Sequence, residues 1–156
     1  MSRNQLLNSP VALYSNRQDE QTDILHEYFV PADQLAEFLK QMGQIIPQHG
    51  LDLLNVTLRD VRKDSDTFLR YADQNMIAVV MLFSQARTEA AEESMQQMTA
   101  ELIDASLKAG GRYYLPYRPH ASVEQFLQAY PQAAEFAALK LTYDPHELFR
   151  NKFYLR

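Results

Sequence analysis

The spacing of apolar residues changes several times along the chain, and each change predicts a new element. Residues 24–30 are rich in β-branched and aromatic side chains and are followed by Pro31, a composition typical of a strand. Apolar residues then recur at helical spacing over 32–46. They are Leu35, Phe38, Leu39, Met42, Ile45 and Ile46. Pro47 and Gly50 are typical of the end of that helix.

Three more strand candidates and a long helix complete the central part of the chain. Residues 51–61 alternate between apolar and polar positions, which predicts a strand with two unlike faces. The charged stretch 62–74 is typical of a loop. The continuous apolar run 76–83 predicts an inner strand covered on both faces. A helical pattern over 89–109 ends at a glycine pair, and the aromatic segment 112–117 predicts the last strand.

The order of these elements is strand, helix, strand, strand, helix, strand, which predicts an α+β fold. The expected architecture is a ferredoxin-like βαββαβ sandwich, with an antiparallel sheet and both helices on one face. Two more helices, at about 122–129 and 132–143, are expected to follow. We therefore divide the chain into an irregular lead-in (1–23), a ferredoxin-like unit (24–120) and a C-terminal helical tail (121–156). The second face of the sheet is left for another partner.

Composition narrows the class of protein. The chain has 156 residues, which suffice for one domain but are few for a complete two-domain enzyme. The net charge of −5 gives no electrostatic reason to expect nucleic acid, and the absence of cysteine excludes disulfides and thiolate catalysis. There is no signal-peptide pattern and no apolar run of membrane-spanning length, so we expect a soluble cytoplasmic protein. The spacing of His26, His49 and His146 does not predict a metal site.

The last third of the chain carries the most specific pattern. Four short motifs follow one another: Arg118-Pro119-His120, Tyr130-Pro131, Asp144-Pro145 and Asn151-Lys152-Phe153. In this order and at these separations, they resemble the C-terminal end of FAD-linked oxidoreductases of the vanillyl-alcohol-oxidase type. The alditol oxidase and aldonolactone oxidase branch is the most similar. The resemblance covers residues 24–156, and it corresponds to the substrate cap and tail of a family member.

Two strand residues gain a role from this resemblance. In alditol-oxidase-like proteins a Glu followed by two aromatic residues and a nearby proline touches the substrate, and Glu27 stands in that place. Related enzymes also carry an Arg at the position of Arg59, where its planar fork would bind a hydroxyl or carboxylate of the substrate. Each residue also has a structural interpretation. Glu27 could be solvated at an edge or paired, and Arg59 could form a surface ion pair of little value with Asp60 or Asp64.

The Arg-Pro-His loop is the sharpest local candidate site. Its prolines restrict the backbone and leave Arg118 and His120 outside regular structure. The resemblance implies that Arg118 orients substrate and that His120 accepts a hydroxyl proton, which an imidazole can do near neutral pH. The alternative is that His120 caps the following helix. The family motif continues with Trp-Gly-Lys, whereas this chain has Ala121, Ser122 and Val123, so the family lysine is absent or replaced from elsewhere.

The cofactor implied by the resemblance is FAD, and this chain is expected to supply only one wall of its site. Tyr117 and Asn151 are the residues placed on the cofactor side. None of the four glycines forms the glycine-rich loop that pyrophosphate binding requires. In the family an N-terminal flavin-binding domain does that work, and we expect such a domain as the partner of this chain.

Together these features predict a function. The chain would be the substrate-binding cap and C-terminal portion of an FAD-dependent oxidoreductase. That enzyme would oxidise an alcohol carbon of a small polyol, sugar or lactone-type substrate by hydride transfer to flavin. Alone, the chain is expected to be inactive and free of FAD, and to form a homodimer through its uncovered sheet face. The alternative is a free-standing ferredoxin-like binding or dimerisation module without catalysis.

Overall fold

The computed structural model describes residues 20–151 and Tyr154. Most of the predicted lead-in therefore lies outside the described residues. The strands and helices, in chain order, are β1 (Gln21–Pro31), α1 (Leu35–Ile45), β2 (Asp52–Val61), β3 (Met76–Ala86), α2 (Glu89–Lys108), β4 (Arg112–Tyr113), α3 (Val123–Ala129) and α4 (Ala133–Tyr143). Their order is the predicted one, strand-helix-strand-strand-helix-strand followed by two helices.

The four strands form one antiparallel sheet in the order β2-β3-β1-β4. β1 lies inside the sheet, where Tyr28 opposes Val79 of β3 on one side and Tyr113 of β4 on the other. This sheet and the helices that follow it confirm the predicted α+β class. β1 begins at Gln21, three residues before the predicted start, and β3 extends to Ala86.

The last strand is much shorter than predicted. The sequence suggested 112–117, but β4 contains only Arg112 and Tyr113. One further hydrogen bond, from the Tyr114 N–H to the Glu27 carbonyl oxygen (3.0 Å), continues the pairing with β1. The chain then turns at Pro116, which has no N–H to donate. Aromatic composition alone therefore overstated the length of the strand.

Helices α1 and α2 cover the same face of the sheet and share one core with it. Phe38 and Met42 of α1 and Met98 and Leu102 of α2 are buried in the same apolar cluster as Tyr28 of β1. The predicted apolar stripe of α1 is the face that packs there. Among the described residues no helix is long and apolar enough to cross a membrane.

The opposite face of the sheet is partly covered by the chain's own loop. A second, smaller cluster contains Phe29, Ala72, Met76, Ala78 and Val80. The loop between β2 and β3 contributes Ala72 to this cluster, and the neighbouring Tyr71 ring stacks on Phe29 with centroids 4.4 Å apart. The face that the sequence left for a partner is therefore not wholly open.

The edge strand β2 is the most exposed part of the sheet. Its residues 55–60 are exposed on both faces, including Val56 (36%) and Leu58 (49%). Both side chains point to the helix side, since they oppose Met81 and Val79 of β3. The alternation predicted for this strand is present, but the described helices do not cover its apolar side.

The glycine that immediately precedes β4 lets α2 and β1 approach each other. A Cβ atom on Gly111 would overlap the carbonyl oxygen of Phe29 and lie 2.8 Å from the Ser106 hydroxyl oxygen. Gly111→Ala should therefore lower the free energy of unfolding by about 1–3 kcal/mol, the usual effect of overpacking. Urea unfolding of the 156-residue chain measures this change.

Gly43→Ala is the matched control for this substitution. Gly43 is exposed within α1, and no atom lies within 4 Å of a Cβ placed there. Alanine should raise the free energy of unfolding at this position by about 1 kcal/mol, because glycine is the poorer helix former. Similar stability changes at both positions would contradict the packing argument.

Candidate active site

Three of the predicted residues converge on the sheet face that points away from the helices. Glu27 opposes Val80 of β3, and Arg59 of β2 opposes Ala78 of the same strand. Because directly opposed residues of antiparallel strands share a face, Glu27 and Arg59 project to the same side. Tyr117, in the loop after β4, forms a side-chain hydrogen bond with Glu27.

The environment makes the Glu27 carboxyl more basic than a surface glutamate. Burial raises its pKa, and the Arg59 charge and the Tyr117 hydrogen bond oppose that rise only in part. Burial also raises the pKa of Tyr117, and the Glu27 charge adds to this effect. The Tyr117 hydroxyl therefore keeps its proton and donates a hydrogen bond to the Glu27 carboxylate.

Arg118 and His120 belong to a second cluster, which is centred on the Glu92 carboxylate of α2. The Gln85 side-chain amide donates to Glu92 Oε2 at 2.9 Å, and the Arg118 guanidinium donates to the same oxygen. His120 Nε2 lies 3.0 Å from Glu92 Oε1, and His120 Nδ1 lies 3.1 Å from the Thr99 hydroxyl oxygen. The described chain thus provides both ring nitrogens of His120 with partners.

The structure therefore divides the four predicted catalytic residues into two pairs, and it places Tyr117, predicted on the cofactor side, with the first pair. Glu27, Arg59 and Tyr117 lie on the sheet face, whereas Arg118 and His120 are bound to α2. The His120 side chain is only 6% exposed, while that of Arg118 is 35% exposed. A small cavity of about 20 Å³ lies between the groups and is lined by residues of both, including Glu27, Tyr117 and Arg118.

The alternative interpretation of His120 as a helix cap is wrong. α3 is capped by Ser122, whose hydroxyl accepts from the Gln125 backbone N–H at 3.1 Å. The Gln125 side chain accepts in return from the Ser122 backbone N–H at 3.0 Å, which completes a capping box. The serine-x-x-glutamine pattern was visible in the sequence, at the position where the family motif is lost.

Asn151 lies in the exposed tail, and its described contact is local. Its side-chain oxygen accepts from the Tyr154 backbone N–H at 2.9 Å. Phe153, the last member of the predicted motif, lies outside the described residues. Within the described part of the chain, no group of three or more His, Asp or Glu side chains could hold a metal ion.

Glu92 is the site residue that the sequence did not reveal. It lies in the first turn of α2, where a negative charge ordinarily stabilises the helix by interacting with the helix dipole. A second glutamate follows it directly. That ordinary role explains its presence without any partner. Only the tertiary structure brings Arg118 and His120, which lie 26 and 28 residues further along the chain, to its carboxylate.

A buried histidine beside this cluster should make stability depend on pH. His26 is 5% exposed, and its Nδ1 lies 3.2 Å from the Tyr28 hydroxyl oxygen. Burial lowers the pKa of His26 to about 4, and the charges of His120 and Arg118 add to this effect. The unfolded state therefore binds the proton more readily than the folded state between pH 6.5 and about 4.

The expected result is a loss of stability on acidification. The contribution of neutral His26 is complete above pH 6.5 and decreases as the pH falls towards 4, by up to about 1.4 kcal/mol per pH unit. His26→Gln, which retains an acceptor for Tyr28, should flatten this part of the curve. Urea unfolding at a series of pH values measures it, and parallel curves for the two proteins would contradict the assignment.

Comparison with known proteins supports the resemblance seen in the sequence. The family model described as D-arabinono-1,4-lactone oxidase matches residues 4–156. Among curated proteins, none is significantly similar to the chain. The family match spans nearly the whole sequence and includes the strands and loop that carry the candidate site. The chain therefore belongs to the D-arabinono-1,4-lactone oxidase family of oxidoreductases.

Proposed function

We propose that this chain is the substrate-binding cap and C-terminal portion of an FAD-dependent oxidoreductase. The substrate class is a small polyol, sugar or lactone-type molecule that is oxidised at an alcohol carbon. Family membership supports an oxidase of sugars or lactones. The observation that supports the cap role is the convergence of Glu27, Arg59 and Tyr117 on the sheet face opposite the helices.

These three side chains offer the groups that a polyhydroxylated substrate requires. The exposed Arg59 guanidinium presents several N–H donors in a fixed plane, which suits hydroxyl and carboxylate oxygens. The Glu27 carboxylate accepts hydrogen bonds from substrate hydroxyls. Tyr117 is partly buried beside Glu27 and can both donate and accept. The set binds and orients hydroxyl groups by donor and acceptor geometry.

Glu27 is also the group in this cluster best suited to take up the hydroxyl proton. Oxidation of an alcohol carbon removes a hydride from carbon and a proton from oxygen. The flavin, when bound, supplies the hydride acceptor. The raised pKa of Glu27 brings its basicity closer to neutral pH, which favours proton transfer from the substrate.

The glycines of this chain do not fit a phosphate cradle. Gly43 lies within α1. Gly50 and Gly110 each adopt a positive φ just after the end of a helix. Gly111 packs against the carbonyl oxygen of Phe29, which leaves no room for a ligand there. The glycines therefore favour a role on the substrate side of the site, and Tyr117 remains the residue that we propose to face the cofactor. This supports the proposal that a separate flavin-binding domain holds the pyrophosphate of FAD.

The first test is flavin content. Purified alone, the 156-residue chain should be colourless, because none of its four glycines forms a phosphate-binding loop. Co-expression with a glycine-rich flavin-binding domain encoded beside it, or in a longer form of the same chain, should give a yellow protein. Visible absorption spectra and light scattering distinguish the outcomes. A yellow isolated chain would contradict the assignment of the cofactor site to another domain.

The alternative function, a binding or dimerisation module without catalysis, has one supporting observation. Val56 and Leu58 of the edge strand β2 are exposed on the helix side of the sheet, where the described helices do not cover them. A colourless, stable dimer that remains colourless beside the flavin-binding domain would favour this alternative over the oxidase.

The second test concerns the two charged residues of the cluster in the flavin-containing enzyme. Glu27→Gln should lower kcat by about 10²–10⁴-fold, the usual contribution of a general base. Arg59→Ala should raise KM by about 10–100-fold through the loss of charge-assisted hydrogen bonds to substrate. Steady-state kinetics with sugar alcohols and lactones, together with the absorbance of bound flavin, measure both effects.

Asp60→Asn is the matched control for these variants. Asp60 follows Arg59 on β2, but it opposes Ile77 and therefore points to the other face of the sheet. It should leave kcat and KM unchanged. Flavin content should remain the same in all three variants, and wild-type kinetics for Glu27→Gln would remove Glu27 from the proposed mechanism.

A further inference from the structure

The hydrogen bonds of Thr99 show whether one ring nitrogen of His120, Nδ1, is protonated. The Thr99 hydroxyl carries one proton, and its oxygen lies 2.6 Å from the Met95 carbonyl oxygen, to which it donates. It can then only accept at its second contact, which is His120 Nδ1 at 3.1 Å. His120 Nδ1 must therefore carry a proton.

The carboxylate of Glu92 shows whether the other ring nitrogen of His120, Nε2, is protonated. Its Oε2 accepts from Gln85 and Arg118, and its Oε1 lies 3.0 Å from His120 Nε2. Burial alone would raise the pKa of Glu92, but the hydrogen bonds from Gln85 and His120 and the Arg118 charge outweigh it and lower the pKa. An ionised carboxylate only accepts, so His120 Nε2 also carries a proton.

We infer that Glu92 is a positioning residue that holds His120 as an imidazolium cation, with Arg118 beside it, and so fixes the loop that places Tyr117 against Glu27. The protonation state of His120 can be tested in this chain alone and does not depend on the proposed function. The role of Glu92 in positioning Tyr117 for catalysis rests on the proposed function. With both nitrogens protonated, His120 cannot accept a proton from a substrate, which leaves that role to Glu27.

The other charged groups around His120 agree with a cation at this position. Asp104 of α2 and Glu124 of α3 line the surface hollow that also includes His120. From β1, His26 faces the cluster, and the charge of His120 helps to lower the pKa of His26. Arg118 is the opposing positive charge, and it shares the Glu92 carboxylate. Two further carboxylates therefore line the hollow at His120, while burial keeps the neighbouring His26 neutral at pH 7.

The loop that carries Tyr117 is anchored at both ends. At its start the Tyr114 N–H donates to the Glu27 carbonyl oxygen (3.0 Å), and at its end Arg118 and His120 are held by Glu92. Tyr117 lies between these anchors and adjoins Arg118. Release of the second anchor should let Tyr117 move away from Glu27, although the side chains that the structure shows bound to Glu92 are Gln85, Arg118 and His120.

Nitrogen-15 NMR of the histidine rings in the 156-residue chain tests the first part of the inference. At pH 7 both ring nitrogens of His120 should resonate as protonated nitrogens, whereas His26 should show one protonated and one unprotonated nitrogen. In Glu92→Gln, the His120 ring should lose one proton at the same pH. An unprotonated His120 nitrogen in the wild-type chain would overturn the inference.

Glu93→Gln is the matched control, since Glu93 is the next residue of α2, is exposed and undergoes the same change in charge. The nuclear Overhauser contact between the Tyr117 ring and the Glu27 side chain should persist in Glu93→Gln and disappear in Glu92→Gln. Its persistence in Glu92→Gln would overturn the positioning role. If Glu92→Gln does not fold, Thr99→Val removes the other acceptor of His120 and should likewise release one ring proton.

In the flavin-containing enzyme, Glu92→Gln should lower kcat/KM by up to about 10²-fold, as a misplaced site residue does. The NMR results separate the failure of this inference from the failure of the proposed function. A protonated His120 and a Glu92-dependent Tyr117 contact in an enzyme that oxidises no alcohol would refute only the function. An unchanged kcat/KM in an active enzyme, despite loss of the Tyr117 contact, would refute the positioning role.

Discussion

Alternate residues of β1 are buried against the helices, and this burial determines that the residues between them point to the opposite face of the sheet. His26, Tyr28 and Val30 are buried on the helix side. Because successive strand residues project to opposite faces, Glu27 must lie on the other face. A shift of one residue in the register would place a carboxylate in the apolar core, which is strongly unfavourable without a partner. The core thus sets the direction in which Glu27 points.

Much of the fold was predictable from the sequence because the periodicity of its elements is regular. The apolar spacing of α1, the continuous apolar run of β3 and the glycine pair after α2 all correspond to observed elements. The end of β4 was not predictable in the same way, because aromatic residues favour strands but do not ensure pairing. Pro116 and the turn that follows decide that end, and the aromatic composition of the segment obscured them.

The candidate site was predictable only in part, and the reason is tertiary. Glu27 and Arg59 follow from strand positions, so the sequence and the family resemblance together identify them. Arg118 and His120 adjoin Tyr117 in sequence, and the sequence placed them with it at a single site. The loop instead directs Tyr117 to the sheet face and its neighbours to α2. Adjacent residues of an irregular loop can point in different directions, and no spacing rule specifies which.

The exposed edge strand β2 affects how any partner can approach. It contains an irregularity of register between Leu53 and Asn55, and it carries the charged neighbours Arg59 and Asp60. Bulges and charges on an edge strand oppose the addition of a further strand from another molecule. These features therefore make the free hydrogen-bonding groups of β2 less accessible to another strand than the faces of the sheet are. The same features protect a chain with an uncovered edge from growth into fibrous aggregates.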